Sequence, residues 1–532
     1  MKHILPILLI LSLLCGCGAP AQPPAAEETA PVQTPIVPVL PEASEIPYES
    51  RFTDETVIKL TDTGMDVTGP NSMAVFGSHD IIYYENRETY ESGNPYGEGT
   101  DADMHSSEEA QKHYVVNITK PGAYRVTGKL SQGQIRVDLG KKADEDESAV
   151  VELILDNADI TCTVAPAILF QNVYECDGNW SEDTATPNVD TSSAGSNLIL
   201  QGENTVSGAY VAKIFKDKEG EKKLWKQDGA IYSYMSMNVF GPGKLTLNAA
   251  NEGMDTELHL TVNGGDITIL SQNDGINTNE DNISVTTING GKVRIVAGLG
   301  AEGDGIDSNG YLVINGGTVI SAAKPMSDSG LDSTDGSFIH GGTVIALGAA
   351  MDWAESDSRQ VTMNLQFDQH QQGTLRITRE DGTEVFSFDP ASDPVLENYD
   401  RGFRGAVVSI PAFAVGDSYH VYSGGEQMMY TSTDVMGHRP GGQQPPEGFE
   451  PPEGFGGFDG KEPPEDFGGE MPTWPEGEAP NPPGSHGPSR PEGTPPGGFD
   501  GPGGFDGPGG EGQTRFYMQD KVNFFSGLNP AQ

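Results

Sequence analysis

The sequence has few basic residues. Its 532 residues carry 31 Lys and Arg against 78 Asp and Glu, which gives a formal net charge of −47. Nucleic acids and anionic lipid surfaces bind proteins through clustered Lys and Arg, so this charge argues against both as partners. It favours cations, or ligands that are held through cations.

Cysteines and the common catalytic signatures are also scarce. Of the four cysteines, only Cys162 and Cys176 lie beyond the N-terminal segment. One disulfide and two free thiols are both compatible with their positions. The chain has no His-Glu-x-x-His zinc signature and no Gly-x-Ser-x-Gly elbow, so the sequence does not predict a zinc protease or a serine hydrolase.

The N-terminal segment is typical of an exported bacterial lipoprotein. Lys2 precedes an apolar run from Ile4 to Leu14, which is too short to span a membrane and ends in small residues. We therefore predict a signal peptide over residues 1–17 that ends at a lipidated Cys17, with cleavage as a plain secretory signal as the alternative. Two acyl chains would anchor the protein on the extracellular face of the cell membrane.

Glycine pairs recur along the centre of the chain at a nearly constant spacing. Asn263, Asn289, Asn315 and His340 each precede two glycines, at intervals of 26, 26 and 25 residues. A short alternating strand follows each pair. A period near 25 with β-branched residues fits one coil of a parallel β-helix, in an all-β chain. The residues predicted to stack inward are Leu245, Ile267, Val293, Val319 and Val344.

A second recurrent element lies between the glycine pairs. It consists of an acidic residue, a glycine, an apolar residue and a further polar residue, as in the segment from Asp274 to Asn277. Because successive coils stack in register, both polar positions are predicted to form columns. The position before the glycine holds Asp228, Glu252, Asp274, Asp304 and Ser329, with Asp328 adjacent. The later position holds Tyr232, Asp255, Asn277, Asp307 and Asp332.

Stacked carboxylates require a counter-ion. Two carboxylates about 5 Å apart repel by about 1 kcal/mol in water and by several times that at a low effective dielectric constant. Calcium is the expected cofactor, because it binds about six to eight oxygens from carboxylates, amides, backbone carbonyls and water. The predicted metal ligands are Asp228, Glu252, Asp255, Asp274, Asn277, Asp304, Asp307, Asp328 and Asp332.

Turn chemistry without a metal is the alternative for both sets, because Asp-Gly and Asn-Gly favour turns. Turns alone do not call for carboxylates at two places in each coil, so we prefer calcium for the acidic set. For Asn263, Asn289 and Asn315 we predict an amide ladder, in which stacked side chains bind one another and no metal is needed.

The remaining segments are assigned by composition. We predict a disordered tether over residues 18–50, irregular structure from Val57 to Gly99, and loops at Gly178 to Ala194 and Lys216 to Lys226. The helix domain is expected over 110–355 and a small β-sheet cap over 356–432. A Gly/Pro-rich disordered loop follows over 437–512, and a returning strand over 514–527.

One stretch resembles a known family. The run from Tyr114 to Val137, with Lys120-Pro121-Gly122-Ala123-Tyr124-Arg125-Val126, is similar to the opening of bacterial carbohydrate-binding lipoproteins of the clostridial cellulose- and pectin-binder type. The Asp-Gly-Ile and Asn-Gly-Gly coils and the ending from Asp520 to Gly527 are also similar. The resemblance implies a right-handed parallel β-helix that binds calcium and acidic or cellulosic polysaccharide. The insertion from Cys176 to Ser193, and Ser329 and Tyr232 at acidic positions, depart from the family pattern.

We therefore expect a cell-surface lipoprotein that binds acidic, pectin-like or cellulosic polysaccharide through calcium and is not an enzyme. One alternative is a calcium-dependent polysaccharide lyase, in which Lys244, Lys292, Arg294 or Lys324 would act as the base. A second alternative is a structural or adhesive stalk. No particular residue is predicted to contact the sugar.

Overall fold

The computed structural model describes residues 46–85, 100–215, 223–349, 352–399, 401–433 and 512–531. The predicted signal peptide with Cys17, the predicted tether as far as residue 45, and residues 437–511 of the predicted Gly/Pro-rich loop lie outside these described residues. Within them, no helix has the length and apolar character needed to cross a membrane.

The chain before the repeats consists almost entirely of short strands. One helix of four residues, α1 (Ser107–Ala110), precedes the fourth strand. The strands are β1 (Glu55–Thr61), β2 (Gly64–Thr68), β3 (Val75–Ser78), β4 (Tyr114–Ile118), β5 (Gly122–Leu130), β6 (Gly133–Asp138), β7 (Val151–Thr161), β8 (Ile168–Asn172), β9 (Ser196–Gln201), β10 (Glu203–Gly208), β11 (Val211–Phe215) and β12 (Lys223–Gln227).

Two of the predictions for this part were wrong. The region from Val57 to Gly99, expected to be irregular, contains β1 to β3, and β1 pairs in parallel with β5. In β1, Thr56, Ile58 and Leu60 alternate inward because one face of the strand packs on the core. The predicted loop at Lys216 to Lys226 ends in β12, which pairs with β11 as an antiparallel hairpin.

The repeats form three short strands each. These strands are β13 (Gly229–Ser233), β14 (Met237–Phe240), β15 (Lys244–Ala249), β16 (Glu252–Thr256), β17 (Leu260–Val262), β18 (Asp266–Ser271), β19 (Ile276–Thr278), β20 (Val285–Ile288), β21 (Lys292–Val296), β22 (Ile306–Ser308), β23 (Tyr311–Ile314), β24 (Thr318–Ala322), β25 (Leu331–Ser333), β26 (Gly336–Ile339) and β27 (Thr343–Gly348). Each strand pairs in parallel with its counterpart in the next repeat.

Three parallel ladders result from this pairing. Ladder A comprises β10, β15, β18, β21, β24 and β27. Ladder B comprises β9, β14, β17, β20, β23 and β26. Ladder C comprises β4, β6, β8, β13, β16, β19, β22 and β25. The molecule is thus nearly all β, with large parallel and mixed sheets.

The predicted inward column of ladder A is confirmed. Leu245 pairs with Ile267, and the register continues through Val293, Val319 and Val344. All five side chains are buried. Each extra coil therefore removes another apolar layer from water, which is the main stabilising term of such an array.

The Asn-Gly-Gly turns are built as the sequence predicts. The Nδ2 of Asn289 donates to Oδ1 of Asn263 at 2.9 Å, and the Nδ2 of Asn315 donates to Oδ1 of Asn289 at 2.8 Å, so the amide ladder is confirmed. The second glycine of the turn has a positive φ, +76° at Gly291, and a Cβ there would lie 2.6 Å from the carbonyl oxygen of Gly265. Only glycine fits this position.

The C-terminal part forms a separate set of strands against the last coil. Its β31 pairs antiparallel with both β27 and β28, and its β35, beyond residue 511, pairs in parallel with β28. The free edge of β27 is thereby paired. The strands are β28 (Thr362–Gln371), β29 (Leu375–Arg379), β30 (Glu384–Phe388), β31 (Phe403–Ser409), β32 (Ser418–Ser423), β33 (Glu426–Met429), β34 (Phe516–Tyr517) and β35 (Val522–Pro530).

Candidate metal site on ladder C

The later polar position of the repeat forms one column in ladder C. Tyr232 on β13 pairs with Asp255 on β16, and the register continues through Asn277 on β19, Asp307 on β22 and Asp332 on β25. The spacing of the repeat predicts this register, because a parallel ladder places equivalent residues beside one another.

The position before the glycine forms a second column beside the first. Gly253 donates its backbone N–H to the carbonyl of Asp274 at 3.0 Å, and Gly275 donates to the carbonyl of Asp304 at 3.0 Å. The ladder pattern therefore extends through these turns, and Glu252, Asp274 and Asp304 follow one another along it. We call the two columns together the acidic columns.

Asp228 departs from its predicted place. Gly229, and not Asp228, is opposite Glu252 in the register. The reason is local: four residues separate Asp228 from Tyr232 along the chain, whereas three separate Glu252 from Asp255. Asp228 nevertheless reaches the columns, because one carboxylate oxygen from each of Asp228, Glu252 and Asp255 lies within 4.8 Å of the others.

This three-carboxylate cluster is buried and has one cationic neighbour. Asp255 is fully buried and Glu252 is 3% exposed. The Nζ of Lys226, at the end of the β11–β12 hairpin, lies 2.6 Å from Oδ2 of Asp228 and 3.9 Å from Oε1 of Glu252. One ammonium against three carboxylates leaves the cluster with an excess of negative charge when all three are ionised.

Two buried oxygens at the cluster accept no hydrogen bond from the described residues. They are Oδ2 of Asp255 and Oδ1 of Asn277. The other polar atoms of these side chains are engaged: Asn279 Nδ2 donates to Asp255 Oδ1 at 2.6 Å, and Asn277 Nδ2 donates to Glu252 Oε2 at 3.2 Å. A buried oxygen without a donor costs about 1–3 kcal/mol, so the pair marks a place where a cation would be stabilising.

Burial and mutual repulsion shift the acids of the columns in one direction. Burial, followed by the nearby Glu252 carboxylate, raises the pKa of Asp255 and of Asp274 well above the usual value. Burial and Asp332 raise the pKa of Asp304 to about 8 and that of Asp307 to about 6. The folded chain without a metal therefore favours the protonated forms of these side chains.

Lys226 shifts the opposite way. Burial lowers the pKa of its ammonium, but the carboxylates of Glu252 and Asp228 outweigh burial and raise that pKa. Lys226 is thus a permanent positive charge beside the cluster.

The predicted ligands farther along the columns are less concentrated. Among the described residues, only Asp228, Glu252 and Asp255 form a set of three acidic, His or Cys side chains close enough to share one ion. Asp274 Oδ1 accepts the backbone N–H of Asp304 at 2.6 Å. Asp328 Oδ2 accepts the N–H of Gly303 at 3.0 Å and so holds a turn. At the last coil, burial and Asp352 raise the pKa of Asp332 to about 6.

Sequence reasoning missed three side chains here. Lys226 was placed in a loop, and Asn279 and Asp352 were not considered. A signal existed for Asn279, since it lies two residues after Asn277 and two residues is the period of one strand face. Lys226 and Asp352 carry no such signal, because they reach the columns through tertiary packing. Cys162 and Cys176, left open by the sequence, are both free cysteines.

Comparison with known proteins places the chain. A family model described as carbohydrate-binding domain-containing protein matches residues 112–377, which is half of the 532 residues. The chain belongs to the carbohydrate-binding domain-containing protein family. The match spans ladders A, B and C, with the acidic columns inside it, and ends within β29.

One curated member of this family comes from Acetivibrio thermocellus and is also described as a carbohydrate-binding domain-containing protein. It is 29% identical over 155 residues, which are 29% of this chain and 44% of the relative. The chain thus spans less than half of that relative's length.

One solved structure is similar at a greater distance. It is described as the polysaccharide lyase-like protein from C. thermocellum, in a gadolinium derivative. The identity is 21% and the TM-score 0.30, with 54% of this chain and 92% of that chain covered. This similarity is too distant to bear on the site.

Proposed function

We propose that the protein binds an acidic, pectin-like or cellulosic polysaccharide at the cell surface with the help of calcium, and that it is not an enzyme. Its family supports carbohydrate as the ligand. The observation that carries the calcium proposal is the pair of unpartnered buried oxygens, Asp255 Oδ2 and Asn277 Oδ1, beside the buried Glu252 carboxylate.

The donor set fits calcium. Asp228, Glu252, Asp255 and Asn277 offer carboxylate and amide oxygens, which are the ligands that calcium prefers, and the cluster contains no thiol or imidazole. These four residues would hold the ion. Bound calcium would supply positive charge to the buried carboxylates and coordination positions for oxygens of a ligand.

The charge of the ligand follows from the charge of the chain. At a net charge of −47, the protein repels a polyanion such as a polyuronate over long distances. A cation held jointly by protein and sugar carboxylates removes this repulsion where they meet. We therefore expect binding of an acidic polysaccharide to require calcium.

We further propose that ladders A, B and C are the three faces of a right-handed parallel β-helix. Each strand of a ladder pairs in parallel with the equivalent strand of the next repeat, and the repeats follow one another at 22 to 30 residues, from Asp255 to Asn277 and from Asn277 to Asp307 at the extremes. Lipidation at Cys17 would hold this domain on the extracellular face of the membrane.

Binding is favoured over elimination by the state of the candidate bases. Lys244 Nζ lies 3.1 Å from Glu203, and Arg294 Nε lies 3.4 Å from Asp393. Lys324 Nζ donates to the carbonyl of Gly300. Three of the four cations that could serve a lyase are thus held by the protein itself.

Isothermal titration tests the proposal. Polygalacturonate is added to the full chain in calcium and in chelator, and binding is expected in calcium alone. Asp255→Asn should weaken calcium at least tenfold and weaken the sugar with it, because it removes a ligand charge. Asp357→Asn, at an exposed position, is the matched control and should bind as the wild type does.

Two results would contradict the proposal: sugar binding of equal strength in chelator, and equal calcium affinity in the two variants. Unsaturated uronate, detected by its absorbance during the same titration, would show a lyase instead of a binding protein.

A further inference from the structure

The loop between β8 and β9, residues 173–195, lies across ladder B. Near its end, Thr191 Oγ1 lies 2.7 Å from Oδ1 of Asn238 on β14, and Asn238 Nδ2 donates to the carbonyl of Thr191 at 2.8 Å. Near its start, Asp177 Oδ2 lies 3.2 Å from Nε2 of His259. All three partners of these contacts on or beside the ladder are buried, so the loop is fixed at both ends.

The ring of His259 is oriented by the ladder. Its Nδ1 accepts the backbone N–H of Val285 at 3.0 Å, so Nε2 carries the proton and donates it to Asp177. Asp177 Oδ1 in turn accepts the N–H of Asn179 at 2.9 Å. The polar wall that follows Asp177 is thereby held in one position.

A cavity of about 330 Å³ lies under this loop. Its volume is at the lower end of the range of small-ligand sites and suits one sugar ring with its water. The lining residues are Cys176, Asp177, Asn179, Ala185, Thr186, Asn188, Val189, Asp190 and Ile283.

The lining has the two-sided character that a sugar ring needs. Ile283, which is 4% exposed, and Val189 offer apolar surface for the C–H face of a ring. Asn179, Asn188 and Thr186 offer amides and a hydroxyl, which both donate and accept, as sugar hydroxyls do. Within the described residues, the side chain of Asn188 makes no hydrogen bond.

The charge of the lining is opposite to what an acidic sugar needs. It contains the carboxylates of Asp177 and Asp190 and neither Lys nor Arg. Asp177 is paired with His259, and Asp190 Oδ1 accepts the N–H of Ser192 at 2.9 Å. Neither carboxylate belongs to the cluster at Glu252, so a uronate carboxylate would meet repulsion here.

We propose that the cavity beneath the β8–β9 loop is a second carbohydrate site, which takes an uncharged sugar ring and needs no calcium. It rests on the proposed carbohydrate-binding function and adds a ligand class to it. The protein would then bind a neutral polysaccharide at the loop and an acidic one at the acidic columns.

Titration of the full chain in chelator tests the second site. Two neutral probes, cellohexaose and xylohexaose, are compared with hexagalacturonate. At least one neutral probe should bind and hexagalacturonate should not. Asn188→Ala should weaken the neutral probe about tenfold, because the amide can make two hydrogen bonds with it. Asp183→Asn, at an exposed position of the same loop outside the cavity, should leave binding unchanged.

The outcomes separate this proposal from the calcium-dependent one. If neither neutral probe binds the wild type in chelator, or if Asn188→Ala binds it as well as Asp183→Asn does, the second site is refuted. Hexagalacturonate binding in calcium should be the same in wild type and Asn188→Ala. Its persistence with a failed neutral titration would overturn the second site and leave the proposed function standing.

Discussion

Replacing Lys226 by methionine should weaken the metal-free protein and strengthen its binding of calcium. The ammonium lies 2.6 Å from Asp228 Oδ2 and 3.9 Å from Glu252 Oε1. At an effective dielectric constant of about 20, these contacts correspond to attractions of about 6 and about 4 kcal/mol before desolvation is subtracted. Methionine keeps the length of the side chain and removes the charge.

The net magnitude is smaller than the gross attraction. Breaking a buried ion pair by removing one partner costs about 3–5 kcal/mol, because the remaining charges stay buried. In chelator, the variant should therefore lose about 3–5 kcal/mol of unfolding free energy, which is on the order of 5 °C in Tm for a chain of this size. In calcium most of this loss should be recovered, since the ion takes over the neutralising charge.

Calcium titration and thermal melts in calcium and in chelator measure both effects. The calcium Kd of Lys226→Met should be at least tenfold lower than that of the wild type, since no ammonium competes for Asp228 and Glu252. Lys244→Met is the matched control, because Lys244 and its partner Glu203 are both well exposed and such surface pairs contribute about 0–1 kcal/mol. An unchanged calcium Kd, with equal loss of Tm in calcium and in chelator, would refute calcium binding at the cluster.

Two further predictions concern the apo protein and the turns. Asp304, with a pKa of about 8, and Asp307, with a pKa of about 6, bind protons more tightly in the folded chain than in the unfolded one; the Tm in chelator should therefore fall as pH rises from about 4 to about 8, and a flat profile would contradict the burial of these acids. Asn289→Ala removes two hydrogen bonds of the amide ladder and should cost about 1–3 kcal/mol by denaturant titration while calcium affinity stays the same; a changed affinity would show that the ladder takes part in the metal site.

The columns could be predicted from the sequence because a parallel array repeats its register. Once the period is known, the neighbours of Asn277 follow by counting, and the structure has Asp255 and Asp307 beside it. The inward Leu245 and Ile267 follow in the same way. No distant contact needs to be known for any of these placements.

What could not be predicted depends on contacts between segments that are distant in sequence. β1 is a strand because β5, more than 60 residues later, pairs with it, and the local sequence carries only a short alternation. Lys226 reaches Glu252 because a hairpin folds back toward ladder C, which spacing does not specify. The shifted place of Asp228 arises from one additional residue before Tyr232, which an alignment on glycines hides.

The most direct test of the central claim is the anomalous scattering of calcium in crystals of the full chain grown in millimolar calcium. The account predicts a peak bounded by Glu252, Asp255 and Asn277, with Oδ2 of Asp255 and Oδ1 of Asn277 among the ligands at about 2.3–2.6 Å. Well-ordered side chains at these residues with no peak between them would contradict it.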